Sequence, residues 1–392
     1  MKCALLGMGI VGGGVAELLD LNAGKISDAA REEITLKYIL DIRPHPESPY
    51  AALITSDFSL IENDPEVGVV AECIGGCGAA YDFVKRSLQA GKSVVTSNKE
   101  LVAEKGLELL AIAKEKKVSF LFEASVGGGI PIIRPLVQCL AANRVEEIYG
   151  ILNGTTNYIL TQMLQCSQSF DDALKEAQRL GYAEANPTAD VDGIDACRKI
   201  CILADLCFGK NITPALIKTR GIRDVSGVDA QLAEALGFSI KLLGRALRVG
   251  ENIAAYVSPH LISSDKLLSN VSGVMNGIAV RGNAVGECLF YGAGAGRFPT
   301  ASAVVADIID ATRHDKEKKY LSWGPGGDEL LCDPDELPRR WYLRAEGDGE
   351  ALRALGQVVC RQGQCACITP AMPLSELMAK GLAFEQVFPV LD

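Results

Sequence analysis

The stretch Gly7-Met8-Gly9-Ile10-Val11-Gly12 restricts what this chain can become more than any other. It follows a short apolar run, Lys2-Cys3-Ala4-Leu5-Leu6, and leads straight into a helical pattern that lasts to Leu19. A strand, a Gly-x-Gly-x-x-Gly turn and a helix start, in that order, let backbone N–H groups approach a pyrophosphate with no side chain in the way. Gly7, Met8, Gly9, Ile10, Val11 and Gly12 are therefore candidate dinucleotide contacts. The fold this predicts is α/β, a doubly wound parallel sheet with helices on both faces.

The next segments keep that rhythm. Residues 32–40 read as a second strand ending in Asp41-Ile42-Arg43, 68–76 as a buried strand ending in glycines, and 79–90 as a helix. Residues 92–96 form another strand, running into Ser97-Asn98-Lys99; 101–117 is an amphipathic helix and 118–122 an apolar strand. An acid at the end of the second strand suits the ribose hydroxyls of NAD, while Arg43 suits the extra phosphate of NADP. Both are present, so the cofactor is NADP or NAD. At the exit from the sheet, Glu123-Ala124-Ser125-Val126-Gly127-Gly128-Gly129-Ile130 has three consecutive glycines. Such a backbone is free to turn its carbonyls toward a hard, weakly bound cation, or to serve as an interdomain hinge.

A second chemical centre lies at Gly181-Tyr182-Ala183-Glu184, followed by Asp190, Asp192 and Gly193-Ile194-Asp195-Ala196-Cys197-Arg198-Lys199. From Asp195 to Phe208 the pattern is helical. At 100° per residue Asp195, Lys199, Ile202 and Leu206 share one stripe, with Arg198 and Asp205 on another that is free to face water. A helix that buries Ile202 and Leu206 aims Asp195 and Lys199 at the same partly dry place. A lysine held there beside carboxylates has a charge the protein can set, which suits a proton donor to a developing alkoxide.

Composition removes several function classes. With 392 residues, 48% apolar and 22% charged, the chain has material for two or three domains. Apolar runs break well before membrane length and the N-terminus enters a strand at once, so neither a membrane span nor a signal peptide is expected, and a cytoplasmic location follows as the default. A net charge of −10 with no basic stripe argues against nucleic acid as a partner. The 13 cysteines are odd in number and scattered through apolar segments, so reduced thiols are expected rather than a disulfide framework or a zinc site.

The run from Gly181 to Lys199 closely resembles the signature of homoserine dehydrogenases, and the resemblance extends in consistent order over about residues 1–310. Further motifs that carry it are the glycine turn, Ser97-Asn98-Lys99, Gly150-Ile151-Leu152-Asn153-Gly154-Thr155-Thr156-Asn157-Tyr158, and Tyr291-Gly292-Ala293-Gly294-Ala295-Gly296. It implies interconversion of L-homoserine and L-aspartate 4-semialdehyde with NAD(P)H, on the route to threonine, methionine and isoleucine. Lys199 and Lys99 would be catalytic, and Glu184, Asp195, Thr155 and Tyr182 would hold the small-molecule substrate. Arg43, Ile74, Ser97, Lys99, Gly181 and Gly296 would join residues 7–12 around the nucleotide. A sodium ion would sit on the Glu123 side chain and the carbonyls of Val126, Gly128 and Ile130, and the chain would form a homodimer or a higher homo-oligomer.

The domain organisation expected is a dinucleotide unit over 1–130 completed by 291–315, an inserted α+β substrate and dimerisation unit over 131–290, a linker over 316–338, and a small α+β appendage over 339–392. The appendage resembles the start of the family's regulatory domain, with a strand from Arg339 and a helix over 350–360. Its usual Asp-x-Pro-Gly-Val-Leu turn is replaced by Gly347-Asp348-Gly349-Glu350-Ala351-Leu352. Weak or absent inhibition by threonine is expected, with the tail serving packing or assembly, and no aspartokinase segment is joined. Two rivals stay open at this point: another two-domain amino-acid dehydrogenase, and a catalytically silent nucleotide sensor.

Overall fold

The computed structural model describes residues 1–315 and 320–392, so Lys316 to Lys319, at the head of the expected linker, lie outside the described residues. The chain divides into two compact units, Met1–Asn143 with Asp205–Pro214 and Gly292–Gly326, and Arg144–Ala204 with Ala215–Tyr291 and Gly327–Asp392.

The first unit is built on six parallel strands, β1 (Lys2–Leu6), β2 (Thr35–Leu40), β3 (Ile54–Thr55), β4 (Val67–Glu72), β5 (Ser93–Thr96) and β6 (Phe120–Leu121). Their order is β3-β2-β1-β4-β5-β6, the doubly wound arrangement with its switch point between β1 and β4. Strands covered on both faces read as unbroken apolar runs, which is why Cys3 to Leu6 and Val69 to Ala71 are all buried. Leu5, Ile39, Val69, Val95 and Leu121 form one core with Val304 and Ile308 of the returning helix Arg297–Arg313. That helix lies so close to the first helix, Ile10–Leu21, that a Cβ at Gly14 would stand 2.9 Å from the Arg297 carbonyl oxygen.

The second unit carries a mixed sheet of ten strands: β7 (Val145–Ile151), β8 (Lys218–Thr219), β9 (Phe238–Val249), β10 (Asn252–Ser263), β11 (Met275–Gly282), β12 (Gly286–Ala293), β13 (Trp341–Glu346), β14 (Val358–Arg361), β15 (Gln364–Ile368) and β16 (Gln386–Leu391). The order is β12-β11-β7-β9-β10-β16-β13-β15-β14, with β8 paired to β10. The tail is therefore no separate appendage. β16 runs parallel to β10, Leu261 facing Val390 and Ile262 facing Leu391, and the small C-terminal sheet continues the larger one.

Two further expectations for the tail change. The helix over 350–360 is reduced to one 3-10 turn, Glu350–Leu352, and Val358–Arg361 enters a hairpin with β15 instead. The connecting pair Gln362 and Gly363 both take positive φ, 54° and 77°, which matches the right-handed twist of a tight hairpin and outweighs the local helix propensity. Cys360 and Cys365 face each other in this hairpin and are joined as a disulfide, while the remaining cysteines are free thiols as expected. The described part of the expected linker is also packed: the Trp323 ring would stand 2.6 Å from a Cβ at Gly106, and Leu331 bridges Ile253.

Candidate active site

In the first unit, the turn after β1 is shaped by what a side chain would hit. Gly7 has φ +95°, and a Cβ at Gly12 would lie 1.9 Å from the Gly7 carbonyl oxygen, so only glycine lets the helix at Ile10 start this close to the strand. Met8 N–H donates to Asp41 Oδ2 at 2.8 Å, fixing the turn to the end of β2. Burial works to raise the Asp41 pKa, yet the N–H groups of Arg43 and Met8 hold its carboxyl well below the usual range. Arg43 donates its N–H to the same carboxylate at 2.9 Å, and its guanidinium is largely exposed.

The next two strand ends meet at a residue that sequence reasoning did not single out. Glu72, the last residue of β4, is inaccessible to solvent. Its carboxylate accepts N–H groups of Ile74 (2.7 Å) and Gly75 (2.9 Å) and the hydroxyl of Thr96, so one side chain shapes the loops after β4 and β5. Ile74 and Ser97 sit in those loops. Asn98 caps the helix Lys99–Lys116, accepting the Leu101 N–H at 3.1 Å and donating to the Gly76 carbonyl at 2.7 Å. Lys99 thus stands half-buried at a positive helix terminus, where anionic oxygen is stabilised. Gly296, with φ +122°, precedes the helix Arg297–Arg313.

The residues around the glycine run also belong to this unit. Gly128 has φ +57° and packs against the Gly294 carbonyl, and Ile130 N–H donates to the Gly127 carbonyl at 2.9 Å. The expected role of the Glu123 side chain changes. Its Oε1 accepts N–H groups of Ile132 (2.6 Å) and Ile133 (2.8 Å), and its Oε2 that of Arg134 (2.8 Å). A carboxylate committed to three amides anchors the chain after the glycines and has little left for a cation. Beside it, burial pushes the Asp307 carboxyl up to about 7 although Arg134 pairs with it.

In the second unit, Lys199 and Asp195 lie one turn apart on the helix Ile194–Phe208 and are 7% and 4% exposed, as the stripe predicts. Lys199 Nζ donates to Asp195 Oδ2 at 2.8 Å and to the Leu152 carbonyl at 2.7 Å. Asn153, the next residue, donates from Nδ2 to Asp195 Oδ2 at 2.9 Å and to Asp190 Oδ1 at 2.7 Å, while its Oδ1 caps the helix Gly154–Gln165 at Thr156 N–H. Asn153 and Asp190 are the positions that sequence reasoning left unassigned here, although both lie inside motifs it quoted. Thr155 Oγ donates to the Tyr182 carbonyl at 2.6 Å, and the Tyr182 ring meets Tyr158 edge to face at 5.1 Å. Glu184 is exposed, and its carbonyl accepts from Gln178 at 3.0 Å. Gly181, with φ +77°, ends the preceding helical turn in this unit.

On the other stripe Arg198 is half-buried, and Asp205 does not face water. Asp205 is wholly buried, accepting the Ile212 N–H at 2.6 Å and the Asn211 amide at 2.9 Å; burial pushes its carboxyl up to about 8. Leu206 is only half-buried. Among the described residues no cluster of three or more His, Cys, Asp or Glu side chains could hold a metal, and no helix is long and apolar enough to cross a membrane.

Comparison with known proteins identifies the family. A model described as homoserine dehydrogenase matches residues 131–309, and one described as the NAD-binding domain of homoserine dehydrogenase matches 7–123. The homoserine dehydrogenase of Pseudomonas aeruginosa is 46% identical over 357 residues, 88% of this chain and 82% of that protein. That of Bacillus subtilis is 42% identical over 352 residues, 88% of this chain and 81% of its own length. The crystal structure of a homoserine dehydrogenase from Thiobacillus denitrificans superimposes with a TM-score of 0.91 at 38% identity, covering 100% of this chain and 98% of that one. A hyperthermophilic archaeal homoserine dehydrogenase in complex with NADPH has a TM-score of 0.68 at 28% identity, over 82% of this chain and 99% of that one.

Proposed function

From the premise that this chain belongs to the homoserine dehydrogenase family, we propose a division of labour in which the first unit holds the nucleotide and the second unit performs proton transfer on the amino acid. The activity is NAD(P)-dependent interconversion of L-homoserine and L-aspartate 4-semialdehyde, a step toward threonine and methionine. The observation that carries the assignment of roles is the buried Lys199, held by Asp195 and the Leu152 carbonyl.

The glycine cradle at Gly7 and Gly12 fits a pyrophosphate, since Gly7 takes φ +95° and a Cβ at Gly12 would collide with the Gly7 carbonyl. Residues 7–12, Ile74, Ser97, Gly181 and Gly296 are the proposed nucleotide contacts. The exposed Arg43 guanidinium favours NADP(H) over NAD(H), because Asp41 is already committed to Met8 and Arg43. The nicotinamide, when bound, supplies or accepts the hydride.

On the amino acid, Glu184 receives the ammonium with Tyr182 and Thr155 beside it. In the reductive direction protonated Lys199 gives a proton to the carbonyl oxygen; in the oxidative direction neutral Lys199 takes the hydroxyl proton. Asp195 orients the lysine and compensates its charge when protonated. Asn153 fixes Asp195 and Asp190 together, so the carboxylates keep their spacing through the proton transfer. Lys99 at its helix start stabilises negative charge on oxygen.

The carbonyls of Val126, Gly128 and Ile130 remain the proposed ligands of a sodium ion, with Glu123 shaping the loop rather than binding. A homo-oligomer is proposed on the edge strand β12, whose Tyr291 is exposed, and a cytoplasmic location on the free thiols, which make up all the cysteines but the Cys360–Cys365 pair. Homoserine-dependent reduction of NAD+ and NADP+ tests the reading. Turnover with homoserine, faster with NADP+ and slowed on NADP+ alone by Arg43→Ala, supports it; no homoserine-dependent reduction with either nucleotide would contradict it.

A further inference from the structure

The turn after β2 carries a histidine with no part in the contacts already assigned. His45 is flanked by Pro44 and Pro46, whose rings restrict the backbone on either side. Its φ of +41° and its carbonyl, which accepts the Ser48 N–H at 3.0 Å, fix the turn that presents the imidazole. His45 Nε2 stands 3.3 Å from Asp41 Oδ2 and is closed off from solvent without an aligned hydrogen bond, so its link to the carboxylate is one of charge.

That carboxylate is 6% exposed and accepts the Met8 N–H at 2.8 Å and the Arg43 N–H at 2.9 Å. The Arg43 guanidinium reaches it only loosely, at 3.3 Å from Nε and 3.5 Å from Nη2, and is 64% exposed. The Asp41 carboxyl is held well below the usual range, so it is negative at neutral pH. Among the described residues, Asp41 and, across it, Arg43 are the charged side chains that meet the imidazole.

The charge of this corner therefore depends on one proton. With His45 neutral, Arg43 is the sole cation on Asp41 and the corner has no net charge. With His45 protonated, the imidazolium pairs with Asp41, the loosely held guanidinium is released toward solvent, and one positive charge is left over. A ribose 2′-phosphate, the group that distinguishes NADP from NAD, gains from that charge, and free ribose hydroxyls do not. We infer that His45 is a positioning residue for cofactor choice: its protonated imidazole neutralises Asp41 and frees Arg43 for the 2′-phosphate, so that preference for NADP(H) over NAD(H) strengthens as pH falls. This rests on the reading that Arg43 receives that phosphate.

Dissociation constants of NADP+ and NAD+, measured by calorimetry on the intact protein from about pH 8.5 down to about pH 6, test this. Their ratio cancels effects on the part common to both nucleotides. Wild-type protein should gain about fivefold or more in preference for NADP+ across that range. Protonation of the phosphate itself, near about pH 6, works in the opposite direction and cannot produce the gain. His45→Gln should lose the gain. His45→Lys, with a permanent charge, should keep the high preference at both ends of the range, which a merely structural role for the imidazole would not give. A wild-type ratio flat with pH, the same gain in His45→Gln, or a His45→Lys protein no more selective than His45→Gln would overturn the inference while leaving Arg43 in its role. Undiminished preference for NADP+ in Arg43→Ala would instead overturn the reading beneath it.

Discussion

At the scale of single residues, the site is governed by what each carboxylate is already bound to. Glu184 is exposed and its carbonyl, not its carboxylate, is tethered by Gln178. Replacing it with alanine should therefore raise the KM for homoserine by about tenfold or more, the cost of losing a charge-assisted contact to an ammonium, with little change for the nucleotide. Steady-state kinetics with each substrate varied decides this, and equal effects on both would move Glu184 to a structural role. Glu123 is the opposite case, buried and bonded to three amides. Glu123→Gln should destabilise the first unit by about 2 kcal/mol or more, because one amide N–H would face a side-chain NH2. Denaturant unfolding in sodium and in sodium-free buffer should give the same loss in both; a loss confined to sodium buffer would return the carboxylate to the metal. The motif spacing made Lys199 and Asp195 legible in the sequence. It could not give Glu72 or Asn153, since their function lies in which backbone groups from distant segments they gather.

At the scale of elements, the alternation of strands and helices was readable because parallel strands buried on both faces leave continuous apolar runs. The hairpin β14–β15 was not, because its cue is a positive-φ pair at Gln362 and Gly363 rather than a hydrophobic period. The C-terminal turn of the helix Ile194–Phe208 was misread for a related reason: Asp205 shares a stripe with Arg198, yet the chain folds back and offers it the amides of Asn211 and Ile212. Its carboxyl is raised to about 8, so the group favours folding while protonated and that contribution is lost as pH rises from the ordinary aspartate range through about 8. Asp205→Asn should remove this part of the slope. Urea unfolding at about pH 5 and about pH 8 should show the variant losing less stability than wild type across the interval, by about 1 kcal/mol or more. Identical slopes would mean that Asp205 is ionised at no cost.

At the scale of the whole molecule, the tail was legible as strands but not as part of a larger sheet, because pairing between β10 and β16 joins residues more than a hundred positions apart and leaves no local trace. Its consequence is that a chain ending near Pro338 should lose more than an effector site. Removing β13 to β16 strips the cover from Ile262 and Leu261 and deletes the cluster around Trp341 and Leu343, so the shortened protein should be poorly soluble and inactive. A soluble, fully active truncation would restore the picture of an independent appendage. The central claim is that nucleotide binding and proton transfer are housed in different units, and Lys199→Ala tests it most directly. Homoserine oxidation should fall by about 10²-fold or more while the dissociation constant for NADPH, measured by fluorescence or calorimetry on the same preparation, stays near the wild-type value. Near-wild-type kcat in Lys199→Ala, or a parallel collapse of nucleotide binding in a folded variant, would contradict the account.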